Sequence, residues 1–315
     1  MLFATTIIPV FFVLALGYYA GLRKRLDNQH PEALIAVLMQ FALPCSLLLG
    51  VGSAPPEMLR SQASLLGLLA VVMLAVYGCV YFLARRWRRA SMGEAAVLAL
   101  TVAFANNVAI GLPFLVGVDG ANGRLAVMSG IVAGALVLSP LTLVLLECAA
   151  QEQAAEKASR LVRIRRALSL SLRRPVILAP AVALLLPLSG HPLPAAMTAS
   201  LDLIGKATVG LALFVTGLIL SAQPFRLSLM TAVGVVFKNA LQPLFVYLLL
   251  RPLHFHGVLA KEAFLLACVP AGFFGTVFGA RYGVASAEAG STLVLSTALS
   301  AVTLPLAVVL SAHLP

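Results

Sequence analysis

The sequence predicts an all-α integral membrane protein of ten transmembrane helices, arranged as two inverted five-helix repeats with two of the helices broken near their middles. Three observations predict it. First, 61% of the 315 residues are hydrophobic, 10% are charged, and the mean hydropathy is +1.02. A soluble domain of this length needs far less apolar surface, whereas repeated runs near twenty apolar residues indicate membrane helices. Second, two apolar runs are interrupted alike, by Ala105-Asn106-Asn107-Val108-Ala109-Ile110-Gly111-Leu112-Pro113 and by Pro270-Ala271-Gly272-Phe273-Phe274-Gly275-Thr276. Third, landmarks recur at a near-constant offset of 164 to 166 residues: Pro9 with Pro175, Pro44 with Gly210, Gly111 with Gly275, and Pro140 with Pro305.

Taken in order, the expected spans are 3–22, 31–52, 63–84, 93–118, 125–147, 175–189, 199–221, 227–250, 262–283 and 288–312. The first has no basic segment before it and is long enough to span before Arg23 stops it, so it reads as a helix and not as a secretory signal. Span 3 carries no ionisable group except Tyr77 and Tyr81. Span 6 is short and holds Pro175, Pro180 and Pro187, which makes it the weakest of the ten. These elements define a first repeat over 1–150, a basic linker over 151–174 and a second repeat over 175–315. The linker contains Arg160, Arg163, Arg165, Arg166, Arg173 and Arg174, and suits either an amphipathic segment on anionic headgroups or a solvated helix.

The net charge of +11 does not indicate nucleic acid, because the basic residues cluster at the ends of apolar runs, as in Arg23-Lys24-Arg25 and Arg85, Arg86, Arg88, Arg89. Loops after the odd-numbered spans hold sixteen Lys and Arg, against four after the even-numbered spans. The positive-inside rule then puts the odd loops in the cytoplasm and both termini outside. The four cysteines, Cys45, Cys79, Cys148 and Cys268, lie in or beside apolar segments without paired spacing, and the five histidines show no ligand spacing. They read as small buried hydrophobes and loop residues; no metal site and no cofactor is expected. No catalytic motif is present and intramembrane acids are scarce, so an enzyme is not expected.

Hydrocarbon cannot satisfy the N–H and C=O groups freed by a helix break, so such breaks persist only against protein or a watery cavity. Paired breaks in corresponding positions of two halves point to the substrate site of a secondary transporter. The candidate substrate-binding residues are therefore Asn106, Asn107, Gly111 and Pro113 in span 4, and Gly272, Gly275 and Thr276 in span 9. Half-helix N-termini at such breaks would present free N–H groups to a carboxylate. The two asparagines have a plainer reading too, as amides that patch the broken backbone. Lys238, near the middle of span 8 beside Asn239, Gln242 and Pro243, is the next candidate, since a cation at that depth is expensive. Snorkelling along its own stem is the competing account. Ser46, beside Pro44, completes the candidates. Lys206 follows Asp202 by four residues and reads as half of a helical ion pair. Ser296, Thr297, Ser300 and Thr303 read as cross-helix or self-bonding hydroxyls.

With these pieces in view the chain resembles the auxin efflux carrier family, whose bacterial members include malonate and other organic-anion carriers. The resemblance runs through Pro9 with Leu16-Gly17-Tyr18, Ala42-Leu43-Pro44, Asn106 to Pro113, Ala212-Leu213 with Thr216-Gly217-Leu218, Lys238 to Pro243, and Val269-Pro270 with Tyr282-Gly283-Val284. It implies crossing of spans 4 and 9 at the substrate site, a scaffold of spans 1, 2, 6 and 7, a homodimer through that scaffold, and residence in the inner (plasma) membrane. By motif position Asn106 matches the substrate-contacting asparagine of the plant carriers and Pro113 their crossover proline. Gly275 stands where those carriers have a second crossover proline, and span 3 lacks their charged auxiliary site, which argues against auxin itself. The expected function is a carrier of small organic anions, with a malonate-like dicarboxylate first and an auxin-like or other monocarboxylate second. A channel needs polar residues lining a continuous pore, and here they gather at one depth. A non-transporting membrane sensor of the same fold is the remaining alternative.

Overall fold

The computed structural model describes residues 2–52, 56–154 and 193–314, together with Arg165, Ser169, Leu178, Ala179 and Val182. Most of span 6 and of the basic linker falls outside the described residues. All regular structure in the described residues is helical, apart from one isolated two-residue bridge.

In chain order the helices are α1 Leu2–Leu22, α2 Glu32–Val37, α3 Leu43–Gly52, α4 Pro56–Trp87, α5 Met92–Ala103, α6 Leu112–Ala133 and α7 Ser139–Ala154. They continue with α8 Ala195–Gly205, α9 Ala207–Ala222, α10 Leu229–Val236, α11 Gln242–Leu250, α12 Gly257–Cys268, α13 Phe274–Arg281 and α14 Ala287–Ser311. They overlap the ranges expected for spans 1–5 and 7–10. Among the described residues six stretches are long and apolar enough to cross a membrane: Glu32–Gly50, Gln62–Trp87, Asn107–Ala150, Ala195–Ala222, Leu229–Leu250 and Ala287–Ser311. Ile8–Leu22 and Met92–Ala103 are shorter apolar helices. The Asn107–Ala150 stretch has 44 residues. As one straight helix that would be about 66 Å, twice a hydrocarbon core of about 30 Å. Gly120, at φ 57° and ψ −127°, divides it into two helices. Large apolar side chains remain exposed along these helices, among them Phe12, Phe82, Leu203, Leu229 and Val302. In a membrane protein such side chains are lipid-facing.

Four helices contain a five-residue π-helical turn: Leu38–Ala42, Asn107–Gly111, Gly134–Leu138 and Phe237–Leu241. Each is followed, two residues after its end, by a proline: Pro44, Pro113, Pro140 and Pro243. Proline has no N–H and its ring collides with the carbonyl four residues back, so widening the preceding turn lets the helix continue. The five-residue reach is visible where Leu43 N–H donates to Leu38 O and Gln242 N–H to Phe237 O.

The chain divides into two compact units, each drawing on both halves of the sequence. Unit 1 comprises 1–67, 107–132 and 173–222. Within it α1 lies along α9 through glycines: a Cβ on Gly17 would sit 2.0 Å from Phe214 O, and one on Gly217 2.0 Å from Leu14 O. No other residue permits that approach. Asn28 Nδ2 donates to Ser221 Oγ at 2.8 Å beside this contact, and Gly205 of α8 packs on the Ser46 backbone of α3. Unit 2 comprises 68–106, 133–172 and 223–315. Here α5 packs against α7 and α13, α12 against α11 and α14, and α10 against α14.

Candidate functional site

Unit 2 contains the point where the two interruptions meet. Helix α5 ends as Phe104 turns extended (φ −94°, ψ 102°), and α12 ends as Val269 does the same (φ −59°, ψ 133°). On the second strand the cause is local: Pro270 cannot continue a helix and drives Val269 out of the helical region. Ala105 and Ala271 then pair as an antiparallel bridge. Asn106 N–H donates to Pro270 O at 2.9 Å, and Gly272 N–H to Thr101 O at 3.0 Å. Gly272 must be glycine, because a Cβ there would stand 2.2 Å from Phe104 O. Beyond the bridge α13 starts at Phe274, whose ring stacks on Phe104 with centroids 4.9 Å apart.

Side chains from α14 and from the π turn of the α10–α11 stretch close the remaining hydrogen bonds. Ala271 N–H donates to Ser296 Oγ at 2.9 Å, and Ser296 Oγ donates to Asn239 Oδ1 at 2.6 Å. Gln242 Nε2 donates to Ala103 O at 3.3 Å, at the end of α5. Lys238 Nζ donates to Gln242 Oε1 at 2.8 Å and to Ala267 O at 3.2 Å, at the end of α12. Three backbone groups beside the bridge, Ala103 O, Ala267 O and Ala271 N–H, are thus met by one amide, one lysine and one hydroxyl, with the Asn239 amide holding that hydroxyl. That is the condition for broken helices inside a membrane protein.

Lys238 carries the electrostatics. It is 0% exposed and forms no ion pair among the described residues; those present there are Asp27 with His30, Arg88 with Glu288, and Lys206 with Asp202. Its ammonium points inward to a carbonyl and an amide, so it does not snorkel outward in this structure. Beyond the bridge α13 begins at Phe274, and the N–H groups of a first helical turn favour an anion.

The nine expected residues divide between the units. Asn106, Lys238, Gly272, Gly275 and Thr276 belong to unit 2. Asn106 is 0% exposed at the bridge itself. Gly275 sits inside the first turn of α13, where a Cβ would stand 2.1 Å from Thr101 Oγ1 and 2.3 Å from Val97 O, so its role is close packing on α5. Thr276 turns its hydroxyl back to Phe273 O at 2.8 Å. Asn107, Gly111, Pro113 and Ser46 belong to unit 1. Asn107 and Gly111 bracket the π turn that packs on α9, and Pro113 is the second residue of α6. Asn107 is 1% exposed, and neither Nδ2 nor Oδ1 has a partner among the described residues. Unpaired buried amides are rare and costly, which marks Asn107 as a group with capacity for a ligand. Ser46 packs by its backbone against Gly205. Lys206 and Asp202 form the expected ion pair, and both are exposed.

Ser296 makes the cross-helix bond that was one of its two readings, but that it also accepts from Ala271 N–H at the bridge was not foreseen. It is one of several hydroxyls in its helix, and nothing in their spacing distinguishes it. Glu262, 1% exposed in α12, was likewise not anticipated as a buried acid.

Comparison with known proteins decides the family. A family model described as "Membrane transport protein" matches residues 2–308. This chain belongs to that family. The resemblance to auxin efflux carriers is thereby upheld, and the chain is a membrane transporter. Among curated proteins it is similar to "Uncharacterized transporter YfdV" of Escherichia coli strain K12, with 27% identity over 307 residues, covering 96% of each chain. The proteins of the same title from Escherichia coli O157:H7 and Shigella flexneri match equally, at 27% identity over 96% of each chain. At this level of identity the site of this transporter rests on its own residues.

Proposed function

We propose that this transporter is a secondary carrier of small organic anions, with a malonate-like dicarboxylate the first candidate, working by alternating access around the bridged helix breaks. The observation that carries the reading is Lys238: a fully buried lysine held by neutral acceptors, beside two broken helices, with no carboxylate paired to it among the described residues. A buried charge of that kind is expensive, on the order of 3 kcal/mol on insertion scales, and a bound anion relieves it. One carboxylate would be received at the helix start and by the Asn106 amide. The second would be received by Lys238, which is the argument for a dicarboxylate over a monocarboxylate.

The reading includes ten spans in two inverted repeats, spans 4 and 9 crossing at the bridge, both termini periplasmic in an inner membrane, and a homodimer formed through spans 1, 2, 6 and 7. The offset of 164 to 166 residues between repeat landmarks and the sixteen-to-four charge asymmetry support it. An uptake screen of mono- and dicarboxylates in cells expressing the protein tests the substrate class. Saturable uptake of malonate, inhibited by close dicarboxylates, is the expected result. Uptake confined to cations or neutral solutes contradicts it.

A further inference from the structure

Helix α4 ends in the arginine cluster Arg85, Arg86, Arg88 and Arg89, with the single tryptophan of the chain, Trp87, 66% exposed inside it. Tryptophan in that setting belongs at headgroup level. Immediately beyond, unit 2 holds a cleft of about 430 Å³ lined by Arg88, Arg89, Arg226, Glu94, Ser286 and Glu288 among others. Three helices begin at or beside it: α5 after Ser91, α10 after Ser228 and α14 after Ser286.

The charges in the cleft are not balanced locally. Glu94 accepts from Ser91 N–H at 2.9 Å as part of the capping box of α5. Glu288 accepts from Arg88 Nε at 3.1 Å and from Nη2 at 2.8 Å. The side chains of Arg89 and Arg226 make no hydrogen bond or ion pair among the described residues, though Arg226 lies close enough to Glu288 to attract its carboxylate electrostatically. Arg89 also holds a left-handed backbone, φ 51°, which a non-glycine residue adopts at a cost. The turn around it is fixed by Arg85 Nη1 donating to Ala90 O at 2.7 Å and by Ala90 N–H donating to Ala84 O at 3.1 Å. The pinned turn therefore presents the Arg89 guanidinium, and Arg226 adds a second that is not hydrogen-bonded, beside three helix starts.

We propose that this cleft is a phosphate site that holds the headgroup of an anionic phospholipid. The planar fork of arginine matches phosphate oxygens, and the helix starts add positive potential at the same place. The cleft's position at headgroup level favours the lipid over a soluble phosphate as the source. The helices that start here, α5, α10 and α14, lead to Thr101, Lys238 and Ser296, so a bound headgroup ties together the elements that build the helix-break site. The proposal does not depend on which solute is carried.

The test follows the melting of the detergent-purified protein during titration with phosphatidylglycerol, phosphatidylcholine or inorganic phosphate. Phosphatidylglycerol is expected to stabilise saturably, phosphatidylcholine not, and inorganic phosphate is expected to compete with the former. Replacing both Arg89→Gln and Arg226→Gln is expected to raise the half-saturating phosphatidylglycerol concentration about 30-fold, from about 1 kcal/mol per basic residue near an anionic surface. Glu288→Gln, which removes a competing carboxylate and releases Arg88, is expected to lower it. A folding defect cannot imitate that tightening. Stabilisation by inorganic phosphate with phosphatidylglycerol inert would overturn the lipid assignment. Equal half-saturation in the wild type and both variants would overturn the site.

Discussion

Lys238, Asn106 and Asn107 are three buried polar residues whose costs differ in kind. The Nζ of Lys238 is hydrogen-bonded only to dipoles, the Gln242 amide and the Ala267 carbonyl. If it partners one carboxylate of the substrate, Lys238→Met should reduce dicarboxylate affinity much more than affinity for a monocarboxylate analogue, measured by calorimetry on purified protein. Equal loss for both would make the lysine a strut of the broken helices. For Asn106→Ala, loss of a hydrogen bond to a charged group, about 1.5–3 kcal/mol, predicts roughly 10- to 100-fold weaker binding with expression and melting nearly unchanged. Unchanged affinity would reduce Asn106 to a patch on the bridge. Asn107 differs from both, having two unpaired polar atoms in unit 1. The sequence named the asparagines from their position at an interruption and the lysine as a cation in the middle of an apolar span. It could not tell which would be satisfied, because that depends on the helices folded around each one.

At the scale of elements, each broken or widened helix follows from proline or glycine at a definite spacing. Pro270 ends α12, and Pro243 widens the turn that carries Lys238. Pro243→Ala should allow that turn to relax toward an α-helix and rotate Lys238 away from Ala267. The expected result is weaker substrate binding with helix content by circular dichroism unchanged; binding at wild-type strength would show that the widened turn is incidental. Gly275→Ala tests the packing of α13 on α5, where the Val97 carbonyl cannot yield as a side chain would. Overpacking of this kind costs about 1–3 kcal/mol, read as a lower melting temperature. The breaks themselves were legible from Pro270, Gly272 and the paired asparagines. Resemblance implied only that the two spans cross; the bridge between Ala105 and Ala271, 166 residues apart, leaves no mark in local spacing. Gly275 was read as part of a break because glycine loosens helices, and here its missing side chain serves close approach instead.

For the whole molecule, the class was readable from hydropathy, and the helices of α1 to α14 fall where apolar runs were marked. The grouping into units was not readable, because each unit joins segments from both sequence halves and follows packing, not chain order. The charge asymmetry predicts that a reporter fused after Pro315 gives a periplasmic signal; a cytoplasmic signal would contradict the proposed topology. The central claim, that this transporter is a carrier of small organic anions, is tested most directly by counterflow in proteoliposomes. Labelled malonate should accumulate transiently in vesicles preloaded with unlabelled malonate and much less in empty ones, because a carrier reorients with solute bound. Flux independent of preloading, or no flux for malonate, succinate and a monocarboxylate alike, would contradict the account.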